Sequence, residues 1–234
     1  MVLFDDRQDF EDAERGFIDT LDPLTIAAAD DGRVVFDSTP FAYLDGACPD
    51  TVNPSLWRQA QLCWKNGLYQ VTEGIYQIRG FDISNMTIIE GNTGVIVIDP
   101  LISAETAAES IKLYRKHRGN RPVTGVIYTH SHVDHFGGVN GALPDGAGTV
   151  PIYAPDGFLE HAVSENAYAG VAMTRRAAYM YGVNLAPGPT GQVSTGLGIA
   201  IDASLAREAI GSSRSLEDLY RRPAAGCRTL RVRY

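Results

Sequence analysis

Tyr128-Thr129-His130-Ser131-His132-Val133-Asp134-His135-Phe136-Gly137-Gly138 holds three of the chain's five histidines and a carboxylate within six positions. It directly follows an aliphatic stretch that reads as a strand. In extended backbone, side chains alternate with period two, so His130 and His132 fall on one side and can face one metal ion. Asp134 and His135 follow where the chain should turn, within reach of a second ion. Imidazole nitrogen and carboxylate oxygen suit a borderline divalent cation such as Zn²⁺, with Mn²⁺ or Fe as alternatives. Gly137 and Gly138 let the backbone pass close to such a site. The competing reading is a chance cluster of histidines, but four ligand-type residues at this spacing after a strand favour metal chemistry. The pattern says little about substrate.

Other candidates carry weaker signals. Asp99 ends an aliphatic strand before Pro100. It either orients a ligating imidazole from behind or simply terminates the strand in an Asp-Pro turn. His117, within Arg115-Lys116-His117-Arg118, suits a helix C-terminus and reads as surface. His161, within Leu159-Glu160-His161-Ala162-Val163, reads as a helical histidine rather than a ligand. Arg175 and Arg176 could grip a sulfate or phosphate group, or merely face solvent. Cys48, Cys63 and Cys227 are odd in number and widely spaced, which argues for reduced thiols over a disulfide framework.

The elements that must position these residues begin after residue 70. Gly74–Ile78, Asn85–Glu90 and Gly94–Asp99 read as short strands, with a hairpin turn at Gly91-Asn92-Thr93-Gly94. A helix is predicted over about 103–118, capped by Ser103 and stopped by Gly119. A strand at Val123–Tyr128 precedes the histidines, another is expected at Val150–Ala154, and helices near 156–168 and 171–182. Strands alternating with helices predict an α/β sandwich. Residues 1–70 read as an extension without strong periodicity, with helical patches at 8–20 and 54–65. The second opens on Asn53-Pro54-Ser55, a capped start. Its Leu56, Trp57, Ala60, Leu62 and Trp64 make a packing surface, a Trp-lined substrate wall being the alternative.

Composition bounds the function. The 234 residues are 44% hydrophobic, so a sizeable core can be buried and whole-chain disorder is excluded. The longest aliphatic run, Val95–Ile98, is far short of the roughly 20 apolar residues of a membrane span. The acidic N-terminus does not resemble a secretory signal, which points to the cytoplasm. A net charge of -8 argues against nucleic acid or an anionic membrane as the main partner. Residues 199–234 differ: seven Arg, no Lys and four acidic residues give +3, against -11 for the rest.

Thr129-His130-Ser131-His132-Val133-Asp134-His135-Phe136-Gly137-Gly138 after an aliphatic strand resembles the H-x-H-x-D-H signature of the metallo-β-lactamase superfamily, an αββα sandwich shared by thioesterases, nucleases and alkylsulfatases. Flanking segments narrow the resemblance. Asp5–Ala13, Asn53–Gln61, Gly74–Asp82, Asp99–Ala107, Glu160–Asn166 and Ala172–Ala177 are together similar to the linear alkylsulfatases, which hydrolyse sulfate esters of primary alkyl chains. The resemblance runs from about residue 5 to about residue 198. It implies a two-zinc hydrolase in which His130 and His132 hold one ion, Asp134 and His135 the other. A metal-held water would then act as nucleophile or general base, with Asp134 at the catalytic centre. Metals and basic side chains would hold the sulfate, and an apolar channel the alkyl tail.

The same resemblance divides the chain into an N-terminal extension (1–72), an incomplete metallo-β-lactamase-like domain (73–198) and a divergent Arg- and Ala-rich tail (199–234). The family completes its metal site with downstream carboxylates and a histidine, then adds a dimerisation domain and a lipid-binding-like domain. None of these has a counterpart here, so the expected chain is the N-terminal part of an alkylsulfatase with a replaced tail. The alternatives are an inactive metal-binding fragment and a thioesterase or lactonase on the same scaffold.

Overall fold

The structure, a computed structural model, describes residues 6–143 and 150–200 and the backbone of 229–232. Apart from Ile199, Ala200 and that last backbone segment, the tail predicted to diverge lies outside the described residues, as does Cys227.

A meander forms the first part of the sheet. β4 (Gly67–Thr72), β5 (Ile75–Arg79), β6 (Met86–Glu90) and β7 (Val95–Ile98) pair antiparallel in sequence order. The predicted turn joins β6 to β7, with the Gly91 N–H donating to the Gly94 carbonyl at 2.8 Å. β7 then continues through α3 (Ala104–Arg118) to β8 (Val123–Ile127), which returns parallel beside it. Parallel neighbours need such a crossover, since a tight turn can only reverse the chain. β9 (Ile152–Pro155) extends the parallel part, and the backbone of β10 (Thr229–Val232) runs parallel to β9.

Alternation along the strands sorts the two faces. Tyr76, Ile88, Val97 and Val126 lie in one register row and are buried. α3 covers that row: Tyr114 meets Tyr76 edge to face at 5.7 Å, and Ala107, Ile111 and Leu113 are buried in the same cluster. Ser103 caps the helix by accepting from the Thr106 N–H, and Gly119 at φ 84 ends it, as the sequence predicts. On the opposite face Ile75, Ile89 and Ile96 align, with Ile96 partly exposed.

The first seventy residues are more structured than their pattern suggests. α1 spans only Gln8–Glu14, because Gly16 at φ 73 turns the chain into β1 (Phe17–Asp19), which pairs with β4. A helix to residue 20 is therefore overturned. β2 (Thr25–Ala27) and β3 (Val34–Asp37) form a separate hairpin that packs on the core through Leu24, Ile26 and Phe36. A 3₁₀ turn (Thr39–Asp45) and α2 (Pro54–Cys63) make a second cluster around Phe41, Leu44, Trp57, Val193 and Ile199. Trp57 is buried there beside Tyr43, which supports the packing reading over a substrate wall.

After the histidine loop, α4 (Val139–Ala142) makes a single turn; beyond β9, α5 (Phe158–Ser164), a π-helical turn (Glu165–Ala169) and α6 (Gly170–Tyr181) run on without a break. No helix among the described residues is long and apolar enough to cross a membrane.

Candidate metal centre

β7, β8 and β9 are parallel neighbours, so their C-terminal ends open on one edge of the sheet. In open α/β sheets that edge is where ligands bind. Asp99 leaves β7, residues 129–138 leave β8, and β9 leads into α5 and the π turn.

The turn after β7 is strained. Asp99 (φ 53) and Leu101 (φ 64) are the two non-glycine residues with positive φ among the described residues. Aspartate tolerates the left-handed region, whereas leucine seldom enters it. Full burial of Leu101 holds it there, together with its N–H donating to the Asp99 carbonyl and its own carbonyl accepting from Gly138. The loop after β8 packs directly on this turn. A Cβ at Gly137 would stand 2.2 Å from the Ile102 carbonyl oxygen, and one at Gly138 2.2 Å from that of Pro100. Glycine is needed for the backbones to approach this closely. Ser84 clamps the loop from a third side, its hydroxyl donating to the Asp134 carbonyl at 2.5 Å.

All four predicted ligands come together. His130 Nε2 lies 3.0 Å from His132 Nδ1, the His130 and His135 ring centroids are 4.1 Å apart, and His135 Nε2 is 3.2 Å from Asp134 Oδ2. Each imidazole thus turns one nitrogen inward and one outward. The outward nitrogens have partners: His135 Nδ1 meets Asp99 Oδ2 at 2.9 Å, and His130 Nδ1 meets Thr129 Oγ1 at 2.9 Å. Thr129 is itself tied to Asp99, through its backbone N–H at 2.8 Å and its hydroxyl at 2.6 Å. His132 Nε2 has Glu165 Oε1 at 3.4 Å. Metal-binding histidines characteristically give their second nitrogen to such partners.

Electrostatics follow the same geometry. Burial works against a charged His135, but the Asp134 and Asp99 carboxylates outweigh it and raise its pKa to about 9. Burial likewise opposes ionisation of Asp99 and Asp134, yet hydrogen bonds, chiefly with His135, hold both below the usual carboxylate range. Burial and the two neighbouring imidazoles push His130 down, favouring its neutral form.

Among the described residues, no set of three or more His, Cys, Asp or Glu is disposed to hold one ion. Two nitrogens of a tetrahedral zinc, each at roughly 2.0–2.1 Å, stand ~3.3 Å apart. His130 Nε2 and His132 Nδ1 are within a few tenths of an ångström of that separation. The donor chemistry and inward orientation therefore fit a divalent cation, after a small outward movement of the rings.

The remaining candidates divide. Asp99 serves as both a turn residue and the support of His135. His117 pairs with Asp19 at 2.7 Å at the far end of α3. His161 is exposed on α5, consistent with a helical rather than ligating role. Arg175 and Arg176 are exposed on α6. Thr129 and Glu165 lie within the segments that carry the resemblance, but nothing in the linear sequence marks their contacts with the imidazoles.

Residues 79–175 match the model of the metallo-β-lactamase superfamily. That stretch contains the three strand ends that converge on the H-x-H-x-D-H loop. The chain is also similar to alkylsulfatases over most of its length. It is 53% identical over 205 residues to a linear primary-alkylsulfatase of Pseudomonas sp., covering 86% of this chain and 30% of that protein. An alkyl/aryl-sulfatase of Saccharomyces cerevisiae is 52% identical over 201 residues, 84% of this chain and 31% of the yeast protein. The solved structure of Pisa1, a stereoselective inverting sec-alkylsulfatase of Pseudomonas sp., superposes with a TM-score of 0.77 at 47% identity, covering 85% of this chain and 32% of Pisa1. The chain spans about three-tenths of the length of the relatives it matches.

Proposed function

We propose that this chain carries the metal-binding part of a hydrolase acting on sulfate esters of alkyl chains. The observation that carries the reading is the convergence of His130, His132, Asp134 and His135 at the edge formed by β7, β8 and β9, in a chain about half identical to alkylsulfatases. His130 Nε2, His132 Nδ1, His135 Nε2 and the Asp134 carboxylate would hold the metal, with zinc favoured by the nitrogen-rich donor set. A bound divalent ion supplies Lewis acidity, which lowers the pKa of a water and polarises an ester oxygen.

The chain's own residues supply the rest. Asp134, with its carboxylate 3.2 Å from His135 Nε2, is the residue we assign to take a proton during water attack. Asp99 fixes His135 directly and His130 through Thr129, removing rotational freedom that metal binding would otherwise have to freeze. Arg175 and Arg176, cationic and solvent-facing, are available to attract a sulfate monoester.

The test is sulfate release from dodecyl sulfate by the purified chain after zinc loading, with metal content measured on the same sample. Zinc bound at near two ions per chain, with turnover abolished by a chelator, is the expected result. A zinc-loaded chain that releases no sulfate would refute the sulfatase reading, and turnover of a thioester or lactone instead would redirect it.

A further inference from the structure

We infer that Glu165 is a positioning residue for His132, holding the imidazole by its outer nitrogen so that Nδ1 stays turned to the metal site. The inference rests on the metal-centre reading and extends it to a residue outside the H-x-H-x-D-H loop.

The three histidines are not equally secured. The His135 side chain is 22% exposed and is wedged between two carboxylates, Asp99 and Asp134. His130 is tied through Thr129 to Asp99. The His132 side chain is 55% exposed, so packing does little to fix its ring. Its inward nitrogen faces His130 Nε2, which leaves Nε2 as the handle by which the ring can be held. Glu165 Oε1 lies 3.4 Å from that atom, within ion-pair reach, and the Glu165 side chain is itself only 27% exposed.

The backbone supports the same assignment. Glu165 opens the π-helical turn between α5 and α6. Such turns are rare and concentrate at functional sites, because one extra residue breaks the register of an otherwise regular helix. An added residue rotates the later turns by about 100° relative to the earlier ones. α5 can then keep Ala162 buried while α6 runs on at its own angle, with Glu165 at the junction. Asn166 steadies the junction, its side-chain amide donating to the Ala162 carbonyl at 2.8 Å. The parallel sheet thus brings support from both flanks: Asp99 from the end of β7 and Glu165 from the segment after β9, with the histidine loop of β8 between them.

The experiment compares the full chain with Glu165→Gln and Glu165→Ala, using Co²⁺ as the probe. Affinity is read by chelator competition, site geometry from the visible Co²⁺ spectrum, and the His132 tautomer from long-range ¹H–¹⁵N NMR of the metal-free chain. Removing an outer partner of a ligating histidine characteristically weakens metal binding ~10–100-fold. Glu165→Ala is expected to show that loss with an altered spectrum and tautomer mixing at His132. Glu165→Gln, which keeps an acceptor oxygen, should restore most of the affinity, and thermal unfolding of the metal-free variants should match the parent. Affinity and spectrum unchanged in Glu165→Ala would overturn the inference while leaving the metal centre intact. A parent chain that takes up no Co²⁺ would overturn both.

Discussion

Asp99 aims His135. Its carboxylate receives Nδ1 at 2.9 Å from a backbone position at φ 53, immediately before a proline and a buried leucine that is also left-handed. The strain in this turn and the orientation of the ring are therefore one arrangement, since relaxing the turn would carry the carboxylate away from the imidazole. The same carboxylate also accepts the Thr129 N–H and hydroxyl, so one side chain ties the ends of β7 and β8 together.

Substituting Asp99 separates these roles. Asp99→Asn keeps the shape and most hydrogen bonds but removes the charge beside His135. Metal affinity should fall ~10–100-fold with the fold retained. Asp99→Ala also strands the part-buried Thr129 N–H, and should lose a further ~1–3 kcal/mol of stability. Chelator competition and urea unfolding on the pair measure the two effects. Equal metal affinity in the parent and Asp99→Asn would count against the support assigned to this residue.

His135 contributes a neutral-to-alkaline pH response to the metal-free chain. Its folded pKa, raised to about 9, lies above the roughly 6.5 of an unperturbed histidine. The charged ring therefore stabilises the fold fully below about pH 6.5, and that contribution is lost as pH rises through about 9. Metal binding takes the neutral ring and must expel this proton, so apparent affinity should climb over the same interval. Thermal melts and metal titrations at pH 6, 7, 8 and 9, as ~1-unit steps across that window, read both trends. Affinity independent of pH would exclude a protonated His135 in the metal-free site.

Backbone proximity in the histidine loop sets a steric prediction. A Cβ at Gly138 would meet the Pro100 oxygen at 2.2 Å and the Ser103 oxygen at 2.5 Å, both backbone atoms that cannot swing aside. Gly138→Ala should cost at least the ~1–3 kcal/mol typical of overpacking, and weaken metal binding with it. Gly170→Ala is the control: nothing lies within 4 Å of its Cβ position, and alanine suits a helix better. Unfolding midpoints that fall equally in both variants would refute the close approach.

Ser84 offers a milder probe of the same loop. Its buried hydroxyl donates to the Asp134 carbonyl, and Ser84→Ala should lose about 1 kcal/mol in urea unfolding. The Asp134 carboxylate keeps its own contact with His135, so metal binding should weaken far less than in Asp99→Asn.

Much of this was legible in the chain because local signals and global fold agree. Val95–Ile98 and Val123–Ile127 are aliphatic enough to read as strands in isolation, Ser103 and Gly119 bracket α3, and the spacing of His130, His132, Asp134 and His135 marks a site by itself. The misses share a cause. β1 and β4 carry no clean alternation: β4 buries three successive residues and then exposes three. The helix predicted over 8–20 fails at Gly16, whose positive φ reflects close packing on Gln70, a contact far away in sequence. Thr129 and Glu165 escaped a role for the same reason, since what they touch is fixed by which strands lie side by side.

The pairing of β4 with β5 bears on how this protein can be handled. A recombinant product begun at residue 73, where the metallo-β-lactamase-like part was expected to start, would leave the β5 backbone without its neighbouring strand. Its rows of N–H and C=O groups would then template pairing with another molecule. Soluble expression and crystallisation of the part from β5 onward should therefore depend on carrying the first 72 residues along, as the sheet's own cover against aggregation.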